Sequence, residues 1–348
     1  SGTLNSARAA TAGMRVALLA HEQFPDRAKT AVGLLRYADH DVVAVLDRDT
    51  AGGRVHDFLP DVQDAPIVDS MADAPDCDAL VVGIAPIGGG FDDSWRPDVR
   101  AALGRGCDVI AGLHYFLSED AEFSHLADRH GCAIRDVRRP PDDLSVAEGT
   151  AGDVDATVVL TVGTDCSTGK MTASFELRDA ARERGLDAAV VPTGQTGIMI
   201  ADWGIAIDRV VSDFAAGAVE RLVEQEGDRD VLFVEGQGAL AHPAYSGVTL
   251  SILHGAQPDS LVMTHVAGRE TVHGYDDYPL LPVEQYADLY ERVARPVHSA
   301  SVDAGMLHTG ALDADAASEA TDAYGDALGV PATDPVRFDA DDVLDAVL

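Results

Sequence analysis

The chain has 348 residues, enough for two domains with a core each, and Asp plus Glu outnumber Lys plus Arg by 59 to 25, a formal charge of −34. Such a field repels nucleic acid and anionic membrane surfaces, while a hydrophobic content of 46% excludes an acidic disordered chain. A carboxylate-rich, lysine-poor shell around a folded core suits a cytoplasm of very high salt, so a cytoplasmic protein of a halophilic archaeon is expected, with neither signal peptide nor membrane span.

Residues 1–13 are small and polar and are expected to form a flexible tail. Apolar runs at 16–19, 42–46, 79–84, 108–111 and 133–136 alternate with amphipathic stretches at 28–37, 97–105 and 119–130. This alternation predicts a Rossmann-like, doubly wound parallel sheet over 14–140. Asp47 closes the second run, where a dinucleotide-binding domain places its ribose acid. The first loop, His21-Glu-Gln-Phe-Pro25, lacks the GxGxxG fingerprint, so a platform without dinucleotide is expected. Gly88-Gly89-Gly90 reads as a flexible loop. Cys77, Cys107, Cys132 and Cys166 show no CxxC spacing and read as isolated thiols of a reduced protein. Residues 141–155, acidic and small after Arg138-Arg-Pro-Pro, read as a linker.

The alternation restarts at 156 and runs to 348. Val158-Val-Leu-Thr-Val-Gly163-Thr-Asp-Cys-Ser-Thr-Gly169-Lys170-Met-Thr172 reads as a buried strand, a glycine-bounded loop and a helix over 170–184 that stops at Gly185. Loop amides and a helix N-terminus together grip phosphate. Lys29 and Lys170 are the only lysines among 25 basic residues, so an ammonium placed directly after the loop glycine is chosen chemistry. The candidate phosphate site is therefore Gly163, Thr164, Asp165, Cys166, Ser167, Thr168, Gly169, Lys170, Met171 and Thr172, with Cys166 a small filler rather than a nucleophile. The loop is one residue longer between its glycines than the Walker A pattern, and Thr172 supplies the hydroxyl.

Further strands are predicted at 188–191, 231–235, 261–265 and 297–301. The run ending at Glu235-Gly-Gln-Gly238 delivers a carboxylate into a glycine-rich turn, making Glu235 a candidate base or orienter of metal-bound water. Gln195, Thr196 and Gly197 follow the second strand of this half and are expected to line the same crevice as substrate contacts, with Gln237 and Gly238. His265 ends a strand and is a candidate base or substrate contact. Arg269 is a candidate clamp for a carboxylate. Asp208 and Asp213 flank a helix start and suit capping. The late histidines, His242, His254, His265, His273, His298 and His308, match no compact metal spacing, so no zinc site is expected.

The phosphate loop resembles the GTDTxxGKT loop of dethiobiotin synthetase and its relatives, whose lysine contacts phosphate and whose next threonine binds Mg²⁺. Met171 stands at that threonine position. The Glu235 segment resembles the EGAGG segment of the same enzymes, which makes Thr172 and Glu235 the candidate Mg²⁺ ligands. Gly163–Thr172, Val234-Glu-Gly-Gln-Gly238 and Gln257-Pro-Asp-Ser-Leu-Val-Met-Thr-His265 together are similar to the D-glutamate N-acetyltransferase family, long catalogued as a domain of unknown function. The resemblance covers nearly the whole chain. It implies an α/β fold of two doubly wound domains, a Rossmann-like N-terminal sheet and a P-loop NTPase-like parallel C-terminal sheet. It also implies acetyl transfer from acetyl-CoA to the α-amine of D-glutamate or a related D-amino acid. In that reading Lys170 holds a phosphate of the carrier, Glu235 or His265 is the base, amides near Gly197 or Gly238 meet the oxyanion, and Arg269 holds a carboxylate. An ATP- and Mg²⁺-dependent ligase or kinase is the alternative, and a non-catalytic nucleotide sensor a third. A homo-oligomer is compatible with this composition.

Overall fold

The structure is a computed structural model that describes residues 13–86 and 89–348. The expected tail, Gly13 apart, and Gly88 lie outside the described residues. The chain divides into two compact units. Unit 1 runs to Pro140 and takes in Gln195–Ala206, and unit 2 comprises Pro141–Gly194 and Ile207–Leu348.

Unit 1 alternates β1 (Arg15–Leu19), α1 (Lys29–Tyr37), β2 (Asp41–Leu46), β3 (Ile67–Val68), β4 (Ala79–Val82), α2 (Arg96–Gly104), β5 (Asp108–Ala111), α3 (Ala121–His130) and β6 (Ile134–Asp136). The strands order as β3-β2-β1-β4-β5-β6, all parallel, the arrangement of two mononucleotide-binding halves. Burial on both faces explains why these strands read as short apolar runs. The two-residue β3 is too short to carry a period, and the sequence gives no sign of it. Asp120 caps α3 by accepting the N–H groups of Glu122 and Phe123.

The chain then proceeds through β7 (Thr157–Gly163), α4 (Lys170–Glu183), β8 (Ala188–Val191), α5 (Gln195–Ala201), α6 (Ser212–Gln225), β9 (Val231–Val234), α7 (Ser246–Ala256) and β10 (Ser260–Val266). The hairpin β11 (Thr271–Val272) and β12 (Tyr275–Pro279), α8 (Val283–Ala294), β13 (Ser301–His308), α9 (Ala314–Leu328), β14 (Ala332–Thr333) and α10 (Asp341–Val347) complete it. Unit 2 is a parallel sheet in the order β14-β13-β10-β7-β9-β8. The chain leaves β7 for the edge strand β8, returns to β9 beside β7 and then crosses to β10 on the other side, so the switch point lies at the carboxyl end of β7, where such sheets bind ligands. Val159, Leu177, Phe233, Val262, Met306 and Leu344 pack between sheet and helices, each contributing about 1.5–3 kcal/mol by leaving water.

Three placements differ from the sequence reading. The strand expected at 297–301 begins only at Ser301 and runs to His308. Asp303 and Gly305 break its apolar pattern, yet Asp303 is satisfied by the hydroxyls of Ser260 and Ser301 at 2.6 and 2.7 Å. Residues 141–155, read as a linker, are bound to unit 2. The buried Glu220 carboxylate accepts the N–H groups of Glu148, Gly149 and Thr150 at 2.6–2.8 Å. Finally, α5 follows β8 without a break yet belongs to unit 1. There Thr196 meets Thr30 of α1 hydroxyl to hydroxyl at 2.8 Å, and Arg138 donates to the Gln195 side chain at 2.8 Å. Among the described residues, no helix is long and apolar enough to cross a membrane.

Candidate functional site

The loop Gly163–Lys170 joins β7 to α4 at the switch point of unit 2. Helix α4 starts from Gly169, whose φ of +96° is left-handed, and no side chain caps it. An uncapped helix start of this kind is where a helix presents its amides to an anion. Lys170 is 7% exposed and turns back over the loop, donating to the carbonyl of Asp165 at 2.7 Å and to the Thr168 hydroxyl at 3.2 Å. Glycine at 163 is required by this closeness: a Cβ there would lie 2.6 Å from Thr168 Oγ1, 2.8 Å from Thr264 Oγ1 and 2.9 Å from Lys170 Nζ.

Asp165, fully buried, organises the loop. One carboxylate oxygen accepts the N–H of Cys166 at 2.7 Å, and the other accepts the N–H of His273 at 2.7 Å and Arg269 Nη1 at 3.1 Å. The same Nη1 donates to the Cys166 carbonyl at 2.7 Å. Arg269 is thus part of the loop's scaffold through one nitrogen, and its Nε and Nη2 keep donors for a ligand. The chain reversal of β11–β12 is tied to the loop through His273, a contact 108 residues apart in sequence that no local pattern signals.

His265 accepts or donates at 2.7 Å with the Thr164 hydroxyl through Nδ1 and stacks on Tyr324. Burial, reinforced by the nearby Arg269 and opposed by Asp165, pushes its pKa down to about 4. A ring that weak as a base stays neutral at pH 7, which suits a loop-positioning group better than a proton acceptor. Glu235, at the end of β9, is turned toward the chain after β8: its carboxylate accepts the N–H groups of Thr193 and Gly194 at 3.3 and 3.1 Å. The next residue must be glycine, because a Cβ at Gly236 would sit 1.8 Å from the Thr161 carbonyl of β7. Gln237 donates to the Thr193 carbonyl at 2.6 Å, and Gly238, at φ +63°, packs on Tyr245 and Thr249.

The expected residues therefore separate. Lys170, Glu235, His265, Arg269, Gln237 and Gly238 share unit 2 with the loop, whereas Gln195, Thr196 and Gly197 belong to unit 1, where the side chains of Gln195 and Thr196 bond to Arg138 and Thr30. Met171 is buried at 4% exposure and offers a thioether where a hard cation needs oxygen, and Thr172 is half-buried in the first turn of α4. Asp47, considered as a ribose acid, is fully buried and holds its own turn through the N–H groups of Glu22 and Thr50 at 2.6 and 3.1 Å. Cys77 and Cys107, isolated in sequence, meet sulfur to sulfur at 3.7 Å in the core of unit 1.

The sequence reading missed His242. It lies 2% exposed on the loop after Gly238, with Nε2 3.8 Å from Asp165 Oδ1. Ligand atoms of Asp165, Cys166 and His242 fall within 4.8 Å of one another. Tyr290 and Thr264 were missed as well: Tyr290 donates to the Gly163 carbonyl at 2.9 Å, and Thr264 meets Thr168 hydroxyl to hydroxyl at 2.6 Å. These partners lie from 77 to 127 residues away from the loop or 96 residues apart, and chain neighbourhood carries no signal of them.

Comparison with known proteins adds to this geometry. Residues 145–344 match the P-loop domain, and residues 48–140 the Rossmann-like domain, of a domain of unknown function, DUF1611. The chain belongs to the DUF1611 family. A crystal structure of a DUF1611 family protein from Anabaena variabilis superposes with a TM-score of 0.92 at 41% identity, covering 96% of this chain and 99% of that one. A D-glutamate N-acetyltransferase of Tritonibacter scottomollicae is 33% identical over 280 residues, 79% of this chain and 83% of the relative. Another of that name from a Pseudoalteromonas species is 34% identical over 266 residues, 76% and 80% of the two chains. The two-domain architecture of this DUF1611 member is thus the family's, and its relatives include named acetyltransferases.

Proposed function

We propose that the chain transfers an acetyl group from acetyl-CoA to the α-amine of D-glutamate or a closely similar D-amino acid. The observation that carries the reading is the pair of relatives of that name, alike over most of both lengths. The uncapped start of α4 and Lys170 support it, because coenzyme A presents phosphates that need amide and ammonium donors.

In this reading the phosphates of the carrier displace the carbonyl of Asp165 from Lys170. The ammonium group first gives one proton to a base and from there to water; the amine nitrogen then attacks the thioester carbon, the carbon–sulfur bond breaks, and the second proton, shed by the nitrogen as the amide forms, ends on the departing thiolate. Glu235 is the proton acceptor in this reading, since His265 Nδ1 is engaged with the Thr164 hydroxyl. The remaining donors of Arg269 suit a substrate carboxylate. A phosphoryl-transfer reading would place Mg²⁺ on Thr172 and Glu235, and the buried Met171 speaks against it.

The test is incubation in strong KCl with acetyl-CoA and D-glutamate, followed separately by ATP, Mg²⁺ and D-glutamate. Thiol release in the first mixture is expected. Phosphate release in the second with no thiol in the first would replace this reading by the ligase.

A further inference from the structure

Among the described residues, three buried side-chain nitrogens have no hydrogen-bond partner: His21 Nδ1, His40 Nδ1 and His242 Nε2. His242 is the one at the phosphate loop. Its ring lies beside Tyr245 and Tyr275, with centroids 4.7 and 5.4 Å away. Its other nitrogen, Nδ1, accepts the backbone N–H groups of Ala244 at 3.0 Å and Tyr245 at 3.3 Å. A ring nitrogen that accepts carries no proton, so the neutral imidazole must hold its hydrogen on Nε2. That N–H faces Asp165 Oδ1 across 3.8 Å, beyond hydrogen-bond reach. The fold has therefore fixed one tautomer and left its donor unmatched beside the loop, a desolvation cost that a ligand oxygen would relieve.

The same three residues resemble a metal centre, with carboxylate, thiol and imidazole gathered within 4.8 Å. The donor set does not fit one. A metal-bound histidine presents a lone pair to the ion and donates its remaining N–H to an acceptor. Here the remaining nitrogen already faces two donors, so coordination through Nε2 would need either an imidazolate or the loss of both backbone bonds.

We infer that His242 is a ligand-binding donor, its Nε2–H meeting an oxygen that is anionic or becomes so on a molecule seated over the phosphate loop. A phosphate oxygen of the acyl carrier and the carbonyl oxygen of its thioester share this chemistry. The inference rests on the reading that the loop holds such a carrier. Burial lowers the histidine's pKa, against the pull of Asp165 and with Lys170 and His273 adding to it, so the ring donates without bringing a buried cation.

Two substitutions separate the roles of the two nitrogens. His242→Asn keeps an acceptor near the position of Nδ1 and deletes the distal donor. His242→Gln keeps an amide donor near the position of Nε2 and loses the acceptor. The measurements are calorimetric Kd for coenzyme A and acetyl-CoA, kcat of thiol release with D-glutamate in strong KCl, and the unfolding midpoint. His242→Asn should unfold like the parent and lose about tenfold to a hundredfold, in Kd if the oxygen is a phosphate's and in kcat if it is the thioester's. His242→Gln should stay within about threefold of the parent in both while unfolding at a lower temperature. Parent-like Kd and kcat for His242→Asn, or equal damage in both variants, overturns the inference. So does stoichiometric zinc in the parent that His242→Asn loses. If the parent neither binds coenzyme A nor releases thiol, the acetyl-transfer reading fails, and binding of ATP and inorganic pyrophosphate becomes the probe. The same order of Asn below Gln then sustains the inference, and its absence overturns it.

Discussion

Both units carry a six-stranded parallel sheet flanked by helices, and in both the buried carboxylates fasten loops, but to different effect. In unit 1 the buried carboxylates close the unit's own turns. Asp47 holds Glu22 and Thr50, Asp136 holds the N–H groups of Leu117 and Ser118, and Asp98 holds His21 and the N–H of Met71. In unit 2 Asp165 and Glu235 likewise fasten loops, but the loops they fasten leave donors over: the uncapped start of α4, the outer nitrogens of Arg269 and the Nε2–H of His242. The fold is shared, and the difference is whether the anions at a sheet's edge consume the available N–H groups or arrange them around a space. An anion-binding site is an edge where donors exceed acceptors.

The sharpest way to break this contrast is at Gly236. Gly236→Ala drives a methyl group into the Thr161 carbonyl and should destabilise unit 2 by more than about 4 kcal/mol, read as a lost or strongly lowered unfolding transition. Gly106→Ala in unit 1 is the matched control. Its φ is +82° but nothing lies within 4 Å of a Cβ, so a cost of about 1–2 kcal/mol is expected. Equal effects would show that close strand contact is no more demanding in unit 2.

Next comes Lys170→Met, which keeps the stem and removes the ammonium. It should lower kcat/KM for thiol release by about a hundredfold to a thousandfold with an unchanged fold by circular dichroism. Parent-like turnover would mean that the loop does not hold the carrier's phosphate through this side chain.

His265 gives a pH test with a definite sign. Its folded-state pKa of about 4 lies below the ordinary 6.5, so its contribution is present above pH 6.5 and is lost as pH falls from 6.5 toward 4. The loss should reach about 3 kcal/mol in unfolding free energy, and His265→Asn should flatten that slope relative to the parent. Identical slopes would return the ring to an exposed, ordinary histidine.

The smallest effect expected is at Asp47. Asp47→Ala leaves the N–H groups of Glu22 and Thr50 without their acceptor and should lower the stability of unit 1 by about 2 kcal/mol while leaving the affinity of unit 2 for coenzyme A unchanged. A change in that affinity would show that the carboxylates of unit 1 also serve the ligand.

Much of this protein is legible without coordinates, for a local reason. Strands buried on both faces are contiguous apolar runs, and the phosphate loop is contiguous too, so its glycines, its lysine and the helix behind it stand next to one another in the chain. The two doubly wound halves follow from that alternation. Where Asp or Gly interrupts a run, as in Ser301–His308, or where a strand has two residues, as in β3, the local signal fails.

The partners of the loop could be decided only by the fold. Sheet order sets β9 on one side of β7 and β10 on the other, and that brings His242 and His265 to the loop from two separate stretches. The allocation of Gly194 to one unit and Gln195 to the other is equally non-local, because the two are chain neighbours in one polar, glycine-containing segment. Sequence determined which segments are strands and where an anion could be gripped. Tertiary structure decided which N–H groups would be left without an acceptor there, because that balance depends on every neighbour packed around each group and not on the residues beside it in the chain.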